Sequence, residues 1–333
     1  MSVQLPQLLP AFRQFQLVYV ALRIGIPSAL AAGPRTLPEL ASELEVPECR
    51  ILRLMRGLVW AEIVSFEQIH GFRLTTEGRN LLDDSPTSLA GGILFHGRFF
   101  YSAWGHLDEY MRDARIPFEQ AHGRRLFDLL SNDPESAREF NGAMSERTKE
   151  YSRGVADLPV FHGRKRIVDV GGGEGQLLLD ILKIRSESTG VISDLPMLRP
   201  EAERAIAAAG LTDRCSFQEG DMFSVVPEAG DLYLLKWVLH DWNDERAGRI
   251  LQTIRSRMNK ESSLLIFERI MTDGITESVP LVQADLNMLV LNGGAERTQA
   301  QFSELLRSSG FCLKSVTPIE SNYGFHMLSA GTA

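Results

Sequence analysis

The segment Asp169-Val170-Gly171-Gly172-Gly173-Glu174-Gly175 constrains this chain more than any other. It directly follows the apolar, β-prone run RIVDV and directly precedes QLLLDILK, a helical stretch. A glycine cluster alone marks a turn. Between a strand and a helix it makes a ligand loop, because glycine allows a tight backbone and close approach, and the helix start presents free N–H groups. The spacing narrows the ligand. A dinucleotide fingerprint GxGxxG, counted from Gly171 and Gly173, requires glycine at position 176, where Gln176 stands. The pattern present is GxGxG, ending at Gly175.

Around this loop the chain changes texture. From Arg164 onward, RIVDV, GVISD, CSFQEG, DLYLLKWV and SLLIFERI alternate with helical stretches such as RPEAERAIAAAG and DERAGRILQTIRSRM. That alternation predicts a parallel α/β sheet, to which the tail adds one helix and two strands. Residues 1–160 read as mainly helical. Phe15, Val18, Tyr19, Leu22 and Ile26 recur on one helical face, and Thr36 with Glu39 forms a capping-box pattern. Asn132 or Asp133 before Pro134 reads as another helix start. Helix, turn, helix and a small hairpin through VSFEQIHGFRLT read as a winged helix. The expected division is 1–90 winged-helix-like, 91–160 a helical linker contributing to the substrate pocket, and 161–333 the Rossmann-like α/β domain.

A winged helix raises the question of DNA. Residues 1–80 carry eight arginines and seven glutamates, with no lysine or aspartate, a balance of only +1. The 333-residue chain has a net charge of −8. Both weigh against nucleic acid or an anionic membrane as partner and favour a packing and dimerisation role. The three cysteines, Cys49, Cys215 and Cys312, form no CxxC spacing, and no basic, then apolar leader opens the chain. A cytoplasmic protein without a membrane span is expected.

Sites in α/β folds lie at the carboxyl ends of the strands. There stand Asp194, placed for ribose hydroxyls, and Asp221 with Met222, a carboxylate and a soft apolar side chain suited to adenine. Lys236, His240, Asp241 and Trp242 follow the fourth strand. A histidine beside a cofactor loop is a candidate general base. No clustered spacing of His, Asp and Glu indicates a metal.

The ordered motifs VDVGGGEG, SDLP, GDMF, LLKWVLHDWNDE, FERI and GGAERT resemble the plant-type, caffeate- and flavonoid-like O-methyltransferase family, in its bacterial secondary-metabolite branch. The resemblance covers nearly the whole chain. It implies a Rossmann-like S-adenosylmethionine domain, a winged-helix homodimerisation domain and a small aromatic substrate bound between the halves. Gly171 and Gly173 would face the methionyl part of the cofactor, Asp194 the ribose, Leu195, Asp221 and Met222 the adenine, and Lys236 the far end. His240 would be the catalytic base, flanked by Glu268 and Glu296. Phe140 and Met144 of FNGAM, with Asp241, Met288 and Asn292, would border the substrate, and Phe99, Phe100 and Trp104 are further candidates. The stretch NGGAERT lacks the proline usual in the family but keeps Glu296.

The chemistry is consistent with those roles. A phenol of pKa about 10 is protonated at neutral pH, so a base titrating at about 6.5–7 is required. The glutamates would orient His240 and stabilise its imidazolium. N-methylation, a non-methylating reaction using the same cofactor, and a cofactor-sensing DNA-binding regulator are the alternatives.

Overall fold

Thr36 opens the Leu37–Glu43 helix through the capping box expected of it: the Glu39 carboxylate accepts the Thr36 backbone N–H at 2.7 Å. In the computed structural model, which describes residues 5–85, 87–275, 278–320 and 324–333, the chain divides into two units, Met1–Ser102 and Ala103–Ala333. Residues 1–4, the start of the segment read against a leader, lie outside the described residues.

The first unit begins with the Leu5–Ile24 helix. Ile26 does not continue its apolar face as the periodicity predicts. Gly25 takes φ 87°, ends the helix, and sends Ile26, still buried, into the next short turn of helix. Helices Leu37–Glu43 and Glu48–Trp60 follow on either side of the Val46-Pro47 break. Strands β1 (Val64–Glu67) and β2 (Gly71–Leu74) then form an antiparallel hairpin. Ile51, Met55 and Leu58 recur at helical spacing and bury the inner face of Glu48–Trp60 against Leu40, Val64 and Phe72.

In the second unit the central strands, Arg166–Val170, Thr189–Asp194, Leu232–Lys236 and Ser263–Met271, are largely apolar, as strands covered on both faces must be, and the flanking ones are more polar. The strands of this unit are β3 (Arg166–Val170), β4 (Thr189–Asp194), β5 (Cys215–Glu219), β6 (Leu232–Lys236), β7 (Ser263–Met271), β8 (Arg297–Thr298), β9 (Phe311–Pro318) and β10 (Phe325–Thr332). The sheet runs β5-β4-β3-β6-β7-β10-β9, with β8 beside the end of β7. Its order reverses between β3 and β6, the place where such sheets open a crevice. Strands β3 to β7 are parallel as expected. The tail departs from that: β10 runs antiparallel to both β7 and β9. The six residues between β9 and β10 suit a hairpin and are too few for a parallel crossover.

Two apolar layers cover the sheet. On one side Leu177, Leu178, Ile181 and Leu182 of the Gln176–Ile184 helix pack on Ile167, Ile192 and Leu234. On the other, Ile250, Leu251 and Ile254 of the Asp244–Arg257 helix pack on Val168, Tyr233 and Leu235. The sequence reading leaves the Val279–Asn292 stretch unassigned, and it forms a 14-residue helix. Asp133 caps the Pro134–Ala156 helix by accepting the Ser136 N–H at 3.2 Å. No helix among the described residues is long and apolar enough to cross a membrane.

Candidate active site

The glycine loop leaves β3 through three left-handed turns, with φ of 70° at Gly171, 61° at Gly173 and 83° at Gly175. At Gly175 a side chain is excluded twice, by its φ and because a Cβ would lie 2.1 Å from Ile192 Cδ1. The loop is tied across to β4: Gly173 N–H donates to Asp194 Oδ2 at 2.8 Å, and Leu195 N–H to Asp194 Oδ1 at 2.7 Å. Low-dielectric surroundings raise the Asp194 carboxyl against these two donors. Beneath the loop Asp169 is buried, and burial pushes its carboxyl up to about 7. Its Oδ1 has no hydrogen-bond partner among the described residues. Lys236, at the end of β6, is the cation close to both acids, and burial lowers its ammonium pKa. Met222 lies beside the loop, its sulfur 3.9 Å from where a Gly171 Cβ would stand. Asp221 is exposed and caps its own turn, its Oδ1 accepting the Phe223 N–H at 3.0 Å.

Lys236 Nζ donates to Thr148 Oγ1 at 2.8 Å, which reaches the Pro134–Ala156 helix. Thr148 is one turn beyond Met144, whose carbonyl it also bonds at 2.8 Å. Phe140 on the same helix packs edge-on to Phe127, and Phe127 stacks on Trp242. The second unit thus joins the FNGAM helix to both the lysine and the HDW segment. Phe99 and Phe100 are buried within the first unit, and Trp104 is partly exposed in the second.

A second polar cluster forms where β6, β7 and the loop before β8 meet. His240, Glu268 and Glu296 are all buried. His240 Nδ1 is 3.2 Å from Glu296 Oε1 and 3.4 Å from Glu268 Oε2. Glu268 Oε1 also accepts the backbone N–H groups of Val238, Leu239 and His240 at 3.1, 2.9 and 3.3 Å, so one carboxylate shapes the whole turn carrying the histidine. Asp241 Oδ1 stands 3.9 Å from His240 Nε2 and accepts from Asn292 Nδ2 at 2.9 Å. Met288, one turn before Asn292, accepts the Gly294 N–H at 3.2 Å. Gly294 itself presses on the histidine backbone: a Cβ there would fall 2.0 Å from the His240 carbonyl oxygen.

Burial alone would lower the His240 pKa, but Glu268, Glu296 and Asp241 outweigh it and hold the imidazole at about 9. This corrects the expectation of a base at about 6.5–7: two carboxylates on one nitrogen favour imidazolium more strongly than the sequence suggests. Burial pushes Glu268 up, against the attraction of His240, whereas the imidazole and Arg269 keep Glu296 low in spite of burial. Burial raises Asp241 as well. The ligand atoms of His240, Glu268 and Glu296 lie within 4.8 Å of one another, a donor set a cation can use.

Sequence reasoning missed three polar residues. Arg269 bonds Glu296 Oε1 at 3.0 Å, and Asp285 accepts the Glu296 N–H at 2.9 Å. Thr148 is the third. The available signal was the Glu268-Arg269 pair inside an otherwise apolar strand.

A doubly wound sheet with a glycine loop at its reversal, beside a buried carboxyl–imidazole cluster, defines a nucleotide-cofactor enzyme. The chain belongs to the O-methyltransferase family, whose domain model matches residues 104–312. It is 33% identical to the phenazine O-methyltransferase PhzM of Lysobacter antibioticus over 321 residues, 96% of this chain and 94% of the relative. It is also 33% identical to the 8-amino-8-demethylriboflavin N,N-dimethyltransferase of Streptomyces davaonensis, over 90% of this chain and 87% of the relative. Among solved structures it is similar to NcsB1, an O-methyltransferase of neocarzinostatin biosynthesis in complex with S-adenosyl-L-homocysteine and 1,4-dihydroxy-2-naphthoic acid. That likeness has a TM-score of 0.90 and 26% identity, covering 100% of both chains. The protein is therefore an S-adenosylmethionine-dependent enzyme of that family. The site fits that cofactor: the cradle excludes a side chain at Gly175, and a buried Asp169 oxygen beneath the loop has no hydrogen-bond partner among the described residues.

Proposed function

We propose that the protein moves a methyl group to a hydroxyl of a small aromatic secondary metabolite, with His240 as general base. The observation that carries this reading is the placement of His240 Nδ1 against two buried carboxylates, which leaves Nε2 as the nitrogen able to take a proton. Bound S-adenosylmethionine supplies a methyl group on a sulfonium. Gly171 and Gly173 would face its methionyl part, Asp194 its ribose, and Leu195, Asp221 and Met222 its adenine, with Lys236 at the far end. Phe140, Met144 and Met288 offer apolar walls to a planar acceptor, and Asp241 with Asn292 offers polar contacts.

The proton of the acceptor hydroxyl passes to Nε2, and Glu296 and Glu268 stabilise the imidazolium so formed. With the imidazole held at about 9, only about one site in a hundred carries the free base at pH 7, so turnover rises with pH toward 9. The names of the two relatives and of the NcsB1 ligand support aromatic acceptors. The riboflavin relative favours a second reading, methylation of an aromatic amine, in which the base matters less.

The test is transfer of labelled methyl to a panel of phenols, phenazines, naphthoates and aryl amines by the full chain and by His240→Gln. Hydroxyl acceptors alone should turn over, and only with His240 present. Turnover confined to amines, or undiminished in His240→Gln, would sink the reading. A homodimer through the first unit belongs to the same proposal. Its support is the row of exposed apolar side chains Leu5, Leu8, Leu9 and Phe12 on the first helix, and a monomer by light scattering would count against it. The hairpin and the helices before it are read as a winged helix used for this packing rather than for DNA.

A further inference from the structure

We propose that Arg269 is a positioning residue of the transfer: it pins Glu296 and divides that carboxylate between itself and the imidazole of His240. The inference rests on His240 being the base.

Two cations share one oxygen. Glu296 Oε1 is 3.0 Å from Arg269 Nη1 and 3.2 Å from His240 Nδ1, while Glu296 Oε2 has no hydrogen-bond partner among the described residues. The guanidinium is itself fixed. Its side chain is 12% exposed and lies over two rings, with the Phe325 centroid at 5.1 Å and that of Trp237 at 5.7 Å. Those rings pack on each other at 4.8 Å. Trp237 reaches this place through a backbone φ of 57°, a left-handed conformation rare for a bulky residue. A strained tryptophan, an aromatic partner on β10 and the arginine thus form one bracket around the carboxylate that faces the base.

The electrostatic consequence has a definite sign. The charged groups facing His240 are Asp241, Glu268 and Glu296. Behind Glu296 stand Arg269 and Asp285, the latter accepting its N–H. Removing the guanidinium takes a positive charge away from the imidazolium and leaves Glu296 to His240 alone. Both changes favour the protonated ring, so the free base becomes scarcer at any given pH. Arg269 therefore moderates a cluster that would otherwise hold its proton too firmly.

The test needs no acceptor. The imidazole NMR signals of the full chain are followed against pH, His240 being assigned among the seven histidines by its loss in His240→Gln. Arg269→Met should raise the His240 midpoint by about one pH unit. Arg269→Lys should stay near wild type, and Glu296→Gln should lower the midpoint. Arg269→Gln, which keeps a donor toward Glu296 without the charge, covers the case in which the methionine variant does not fold. A folded Arg269→Met or Arg269→Gln whose His240 titrates as in wild type, or lower, overturns the proposal. Undiminished turnover in His240→Gln would instead overturn the base reading while leaving the titration result in place.

Discussion

The two polar regions of the second unit are built in opposite ways. The glycine-loop region takes its form from backbone: positive φ at three glycines and two N–H groups on one aspartate. There Asp169 and Asp194 both face Lys236, which also acts on Glu268, and one Asp169 oxygen has no partner among the described residues. The histidine region takes its form from side chains of three separated segments, and there three carboxylates, Glu268, Glu296 and Asp241, surround His240, with Arg269 as a second cation on Glu296. The first region is complementary to a cation that arrives with a ligand. The second holds its own cations, His240 and Arg269, among its carboxylates. On the proposed reading, cofactor binding and base function are separable within one sheet.

The largest expected effect is on the base. His240→Gln should lower kcat by about 10²–10⁴-fold while leaving cofactor affinity within about twofold. An equal loss in both would merge the two regions into one. Next, Asp194→Ala should weaken cofactor binding by about 10–100-fold, since it removes a charged acceptor of hydrogen bonds, and isothermal titration measures it. An unchanged affinity would show that the backbone alone makes the cradle. Gly175→Ala acts on the fold, where a Cβ meets Ile192 in a left-handed turn, and should cost about 1–3 kcal/mol in denaturant unfolding.

A smaller effect concerns pH. The His240 pKa is raised to about 9 in the folded chain and is about 6.5 unfolded. Its contribution to stability is therefore complete below about pH 6.5 and is lost as pH rises through about 9. Unfolding of wild type and His240→Gln at pH 6 and pH 9.5 should show the difference between them shrinking at the higher pH. The smallest expected effect is none: a chelator should leave turnover unchanged, because transfer of a methyl group from a sulfonium needs no Lewis acid and the Glu296 oxygen nearest His240 already bonds Arg269. Loss of turnover on chelation would replace that picture.

The contrast also explains what was legible in the sequence. A loop made of backbone has to be written in consecutive residues, so GGGEG between an apolar strand and an apolar helix shows fold, loop and Asp194 together. Strand β6 and its following His-Asp-Trp were readable for the same reason. Glu268 and Glu296 came from the resemblance, because nothing in their separation along the chain announces that they meet on one imidazole. Arg269 and Thr148 could not be read. An arginine one residue from Glu268 looks like an exposed strand end, and a threonine within a helix looks neutral, until β10 and Lys236 close over them. The antiparallel tail was missed because strand-prone runs do not state their direction. The helix that breaks at Gly25 was missed because periodicity continues past a residue that the backbone does not follow.

The contact between Gly294 and His240 has a wider consequence. The Val279–Asn292 helix, on which we propose Met288 and Asn292 border the acceptor, continues directly into Gly293 and Gly294, and Ala295 N–H then bonds the His240 carbonyl at 3.0 Å. No side chain fits between that loop and the histidine. A substitution that shifts this helix to admit a bulkier acceptor must also move the backbone from which the imidazole is aimed. Changes of acceptor in this scaffold will therefore carry changes of turnover with them. Redesign for a new acceptor is best begun on the Pro134–Ala156 helix, away from that shared joint.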